Sequence, residues 1–68
     1  MDISEELNNA LFERKMKQKK LADTLNITPV TVNRWAKGKT SPRKGDFEDI
    51  LKALDMSREE FFKDRRHY

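Results

Sequence analysis

Apolar residues recur along this chain at helical spacing, and β-branched residues never alternate over the length of a strand. Ile3, Leu7, Ala10 and Leu11 form a first apolar stripe, so the spacing predicts a helix that ends near Lys15. Asp2 or Ser4 can cap it, and Glu5 and Glu6 fall in the first turn, where the helix dipole favours acids. Leu21, Ala22 and Leu25 make a second stripe on a helix of about two turns. Asn26 follows, a residue that tolerates the left-handed conformation common just past a helix end, and Ile27 is a lone apolar plug in the connection. Thr28 and Pro29 supply a capping hydroxyl and a proline at the first helical position, where its missing N–H is not needed. In the helix they open, Val32, Trp35 and Ala36 share the inward face, while Val30, Asn33, Arg34 and Lys37 face outward until Gly38 stops it.

Past Gly38, the segment Lys39-Thr40-Ser41-Pro42-Arg43-Lys44-Gly45 is rich in turn formers and positive charge and predicts a loop. Asp46 is then expected to cap a fourth helix with Phe47, Ile50, Leu51 and Leu54 on one face. Ser57-Arg58-Glu59-Glu60 matches a capping box and opens a short fifth helix. Its neighbours Phe61 and Phe62 point about 100° apart, so Phe61 is expected inside and Phe62 nearer the surface. There Phe62, with Arg58, is either a dimer contact or the rim of the core. Residues 1–63 are expected to form the domain, and 64–68 a flexible basic tail.

Composition narrows the picture. Sixty-eight residues make one small domain whose core supplies only a few kcal/mol of net stability. Without cysteine the chain has neither disulfides nor thiolate metal sites, which suits a reducing cytoplasm. No apolar run approaches the roughly 20 residues needed to span a bilayer, and the N-terminus lacks a signal peptide's apolar segment. With two glycines and two prolines, all-α is the expected class. The net charge of +3 is unevenly placed. Between Arg14 and Lys44 the only acid is Asp23, whereas the flanking stretches 1–13 and 45–62 are mainly acidic. Such blocks make an electrostatic footprint on one part of a surface.

Gln18, Leu21-Ala22, Ile27, Val32 and Gly38-Lys39 together resemble the helix-turn-helix of phage repressors and Cro proteins, the XRE-like family. The likeness runs from about Leu7 to Phe62. It implies a compact five-helix, lambda-repressor-like fold whose second and third helices form the motif. Two departures matter. Many members pair an Arg on the first helix with a Glu near the end of the second motif helix. Here Leu11 and Ala36 occupy those positions, which avoids leaving one charge buried and unpaired. Leu11 is therefore expected to pack against the Ala36 end. Asp55 stands where the family usually has glycine, so a mildly strained or differently shaped turn is expected there.

The resemblance also assigns roles. A helix fits the major groove of B-form DNA with its N-terminal residues toward base edges. Pro29, Val30, Thr31 and Arg34 match the base-reading positions. Arg34 can donate two hydrogen bonds to a guanine, the alternative being a phosphate or solvent contact. Val30 suits a thymine methyl or is an ordinary exposed apolar residue. Asn33 can serve a base or a phosphate. Gln18 and Thr28 sit at helix N-termini, where free N–H groups favour phosphate, although Thr28 can be a cap alone. Lys17 and Lys19 belong to the basic run Arg14–Lys20 that would approach the phosphate backbone beside Gln18. Lys37, Lys39, Thr40, Arg43 and Lys44 complete the expected phosphate contacts.

Catalysis has little support: the single histidine, His67, lies in the tail with no second histidine or cysteine to build a metal site or nucleophile. No cofactor is expected. The reading is a cytoplasmic, sequence-specific regulator of double-stranded DNA, of the small phage or mobile-element kind. One recognition helix covers few base pairs, so two copies on a palindromic operator are implied, with half-sites about 34–36 Å apart. The rival is a protein-interaction module, or an antitoxin-like partner-binding protein, gripping through acidic helices 4 and 5 with Phe62. RNA is a weaker option, because no stacking aromatics are laid out on an exposed surface.

Overall fold

Every apolar stripe converges on one core. A computed structural model describes residues 2–63. These form α1 (Ser4–Glu13), α2 (Gln18–Leu25), α3 (Pro29–Lys37), α4 (Lys44–Leu54) and α5 (Arg58–Phe62), with no strand among the described residues. Ile3, Leu7, Leu21, Val32, Ile50, Leu54 and Phe61 are essentially inaccessible, and Trp35, Phe47 and Met56 close the cluster around them. Burying a large apolar side chain contributes about 1.5–3 kcal/mol each, which offsets the chain entropy lost on ordering. Among the described residues no buried polar side chain is left without a hydrogen-bond partner. The expected tail, 64–68, lies outside the described residues.

Four helices stop in the same way. The first residue beyond α2, α3 and α4, and the second beyond α1, turns left-handed, and the next N–H bonds back to the carbonyl five residues earlier. Lys15 (φ 54°), Asn26 (φ 59°), Gly38 (φ 76°) and Asp55 (φ 55°) are the left-handed residues. The back-bonds run from Met16 to Leu11 (2.9 Å), Ile27 to Ala22 (3.0 Å), Lys39 to Arg34 (2.9 Å) and Met56 to Leu51 (3.0 Å). This is the Schellman arrangement, which satisfies carbonyls that a helix end leaves open. At three of the junctions the next side chain, Met16, Ile27 or Met56, folds onto the core. Asp55 takes the left-handed backbone expected to strain a residue that replaces glycine, and Lys15 takes it too, at a greater cost for lysine than for aspartate. That turn ends α1 at Glu13, short of the expected Lys15.

Two caps differ from expectation. Asp46 is not the cap of α4 but its third residue: the helix begins at Lys44, and Asp46 Oδ2 accepts the N–H of Arg43 (3.3 Å). In α1, Ile3 holds the cap position and Asp2 Oδ1 accepts the N–H of Ser4 (2.9 Å), so Asp2 still serves the first turn. At α5 the serine half of the capping box forms, with Ser57 Oγ accepting from the Glu60 N–H (3.1 Å), while the Glu60 carboxylate meets Arg14 (3.2 Å).

Long polar side chains tie the helices together. Arg14 donates to the carbonyls of Leu54 (2.7 Å) and Asp55 (3.0 Å), capping the end of α4. This guanidinium leaves the basic run that was expected to face phosphate. Leu11 is buried as expected, but the polar contact at the α3 end comes from Asn8, whose Nδ2 donates to Ala36 O.

Candidate nucleic-acid interface

The motif is assembled from local rules. Lys17 opens α2 in an extended conformation without a side-chain cap, so the first N–H groups of that helix are not met by a side chain of the cap residue. Thr28 caps α3: its Oγ1 accepts from the Thr31 N–H (3.4 Å) and lies 3.1 Å from the Thr31 hydroxyl. Pro29 then takes the first helical position. Of the candidate phosphate contacts, Thr28 thus already uses its hydroxyl locally, and Thr31 shares it.

Helix α3 divides as the spacing predicts. Val32 (0 % exposed), Trp35 (4 %) and Ala36 (6 %) lie in the core, whereas Val30 is 57 % exposed. Pro29, Arg34 and Lys37 are also exposed, and Thr31 and Asn33 are half-buried. Asn33 turns sideways toward α2, its Nδ2 donating to Gln18 Oε1 (3.1 Å). The first residue of α2 is thereby linked to the middle of α3.

The cations frame this surface. Lys17 and Lys19 are exposed at the start of α2, and Lys37 at the end of α3. Lys39, Thr40 and Arg43 are exposed in the connection to α4, and Lys44 belongs to the first turn of α4 rather than to that loop. The ion pairs run elsewhere: Arg14–Glu60 (3.2 Å), Arg58–Glu48 (3.5 Å) and Lys63–Glu13 (3.8 Å). Among the described residues, Lys17, Lys19, Arg34, Lys37, Lys39, Arg43 and Lys44 have no carboxylate partner. These three pairs thus draw on acids of α1, α4 and α5, and none involves a cation of α2, α3 or the connection to α4.

The candidate dimer residues are engaged within the chain. Phe62 is 39 % exposed and its ring lies 5.6 Å from Phe47 and 5.0 Å from Phe61. Arg58 stacks over Phe47 (5.2 Å to the ring centre). Both pack on Phe47 while keeping part of their surface exposed.

Sequence reasoning missed three residues. Phe12 is 85 % exposed on α1, the most exposed large apolar side chain among the described residues. Its position outside the Leu7–Ala10–Leu11 stripe was the available signal. Asn8 and Arg14 make tertiary hydrogen bonds that no local pattern announces. Among the described residues no group of three or more potential ligands converges to hold a metal, and no helix is long and apolar enough to cross a membrane.

Comparison with known proteins agrees with this geometry. A helix-turn-helix family model matches residues 9–61, spanning all of α2, α3 and α4. No curated protein and no solved structure gives a significant match. The matched family is one of DNA-binding regulators, not of enzymes. This chain belongs to the XRE-type helix-turn-helix family of DNA-binding regulators.

Proposed function

We propose that this protein is a small Cro-like regulator that reads a palindromic operator as a dimer, laying α3 in the major groove. The observation that carries the reading is the set of exposed cations between Lys17 and Lys44, on α2, α3 and the connection into α4, that have no carboxylate partner among the described residues. Cations without carboxylate partners are available to phosphates, and each phosphate neutralised releases counterions from the duplex. Within that frame Arg34 reads a guanine and Val30 meets a thymine methyl, with Pro29 and Thr31 beside them at the groove. Gln18, Thr28, Lys17, Lys19, Lys37, Lys39, Thr40, Arg43 and Lys44 hold the backbone.

Binding-site selection from a random duplex pool tests this. The expected product is an inverted repeat with half-site centres about 34–36 Å apart, bound less tightly as salt rises. Failure to enrich any sequence, with no retention of duplex DNA in dilute buffer, rejects the reading. Binding insensitive to salt would instead favour a protein-interaction role through α4, α5 and Phe62.

A further inference from the structure

We infer that Asn33 is a positioning residue: it fixes the Gln18 carboxamide so that its N–H groups, and not its carbonyl, face a DNA phosphate. The inference rests on the DNA-binding reading above. It removes Asn33 from the base-reading set expected from the sequence.

A glutamine side chain ends in two groups of opposite polarity. The NH2 donates two hydrogen bonds and the carbonyl only accepts. Facing a phosphate, the first attracts and the second repels. A glutamine free to rotate would present either end. Here Gln18 Oε1 is held by Asn33 Nδ2 at 3.1 Å in a half-buried contact, which engages the carbonyl and leaves the Nε2 donors available. The first turn of α2 adds to the same field, since Lys17 provides no side-chain cap and flanks Gln18 with Lys19. The amide donor and the uncapped helix start therefore share one polarity, the one that suits an anion.

Asn33 itself sits beside Arg34 on α3, yet its amide turns back toward α2. One hydrogen bond thus joins the phosphate-facing start of α2 to the helix that carries Arg34. Docking of the first onto a phosphate then sets the depth and register of the second.

The test is a set of affinities for the selected operator duplex and for a mixed-sequence duplex of equal length. The variants are Gln18→Ala, Asn33→Ala, the pair together, and Asn33→Asp with and without Gln18→Ala. Because a hydrogen bond to a charged group is worth up to about tenfold or more, Gln18→Ala is expected to weaken both duplexes about tenfold. Asn33→Ala should weaken both roughly threefold, and the pair should be no weaker than Gln18→Ala alone. Asn33→Asp is nearly isosteric and preserves packing. Its carboxylate accepts only, so Gln18 must turn its NH2 inward and its carbonyl to the phosphate. The loss on Asn33→Asp should therefore be greater with Gln18 present than in the Gln18→Ala background, where only the added charge acts.

Losses from Asn33→Ala and Gln18→Ala that multiply would overturn the positioning role and leave DNA binding standing. So would an Asn33→Ala effect confined to one operator base pair. An Asn33→Asp effect independent of Gln18 would do the same. Absence of wild-type binding to either duplex at low salt would overturn the DNA reading, and this role with it.

Discussion

Asn8 and Ala36, 28 residues apart, are joined by a hydrogen bond of 2.8 Å from the Asn8 Nδ2 to the Ala36 carbonyl. The same nitrogen also donates to Ser4 O (2.9 Å), so both amide hydrogens are used. Ala36 lies in the last turn of α3, where carbonyls lack helical partners. Asn8 thus finishes α3 from α1. Asn8→Ala is expected to lower unfolding free energy by about 1 kcal/mol in urea denaturation. No shift in the midpoint would show that water replaces the amide at no cost.

The left-handed residues predict the opposite sign. Lys15 at φ 54° holds a conformation that costs an L side chain roughly 1–2 kcal/mol and glycine almost nothing. Glycine loses more freedom on folding, so Lys15→Gly should stabilise by about 1 kcal/mol at most. Asp55→Gly should gain less, because aspartate tolerates this region better. Thermal melts of the single variants check both, and a lower melting temperature for Lys15→Gly would refute the strain argument.

Base and backbone contacts differ in what their loss does. Arg34→Ala is expected to cost about 1–3 kcal/mol on the operator and to relax one base position. Lys39→Ala should weaken all duplexes similarly and reduce the salt slope by about one unit. Titrations against operator and mixed-sequence DNA at several salt concentrations separate the two. Equal losses on both duplexes for Arg34→Ala would remove it from base readout.

Two aromatic residues bracket the range of stability effects. Phe12 is 85 % exposed, so Phe12→Ser should stay within about 0.5 kcal/mol of wild type. Trp35, at 4 % exposure, should cost about 3–5 kcal/mol on replacement by alanine, enough to unfold much of so small a domain. Guanidinium denaturation of both variants measures the contrast.

Asp2 gives the acid-side prediction. The N–H and then the hydroxyl of Ser4 hold its carboxyl below its ordinary value of 3.8, against a smaller effect of burial. A depressed folded-state value contributes stability that is complete above 3.8 and lost as pH falls through the lower folded value. An NMR titration of the Asp2 side chain should show a midpoint below 3.8. Asp2→Asn should lose less stability than wild type between neutral pH and the most acidic conditions. A midpoint at or above 3.8 would contradict the Ser4 contacts.

Much of this architecture was legible in the residue order, for a physical reason. Stripes such as Ile3–Leu7–Ala10–Leu11 and Val32–Trp35–Ala36 encode which face of each helix avoids water, and all of these residues are buried. Asn26 and Gly38 announce their left-handed turns by residue type, whereas Lys15 does not, because lysine has no preference for that region. Asp46 was misplaced by one helical turn: an acid at the third position caps backward as readily as one at the cap itself. The remaining gaps are long-range. Arg14 reaches carbonyls 40 residues away, and Asn33 meets Gln18 across 15 residues. Periodicity reports on faces, and it holds no information about which polar group lies opposite on another helix.

The close approach at Gly38 has a practical corollary. A methyl group there would lie 3.1 Å from the Asp2 carboxylate, so the start of the described chain runs against the connection that carries Lys39 and Thr40. A side chain at position 38 would therefore press on the residue that serves the first turn of α1 and also strain a left-handed backbone (φ 76°).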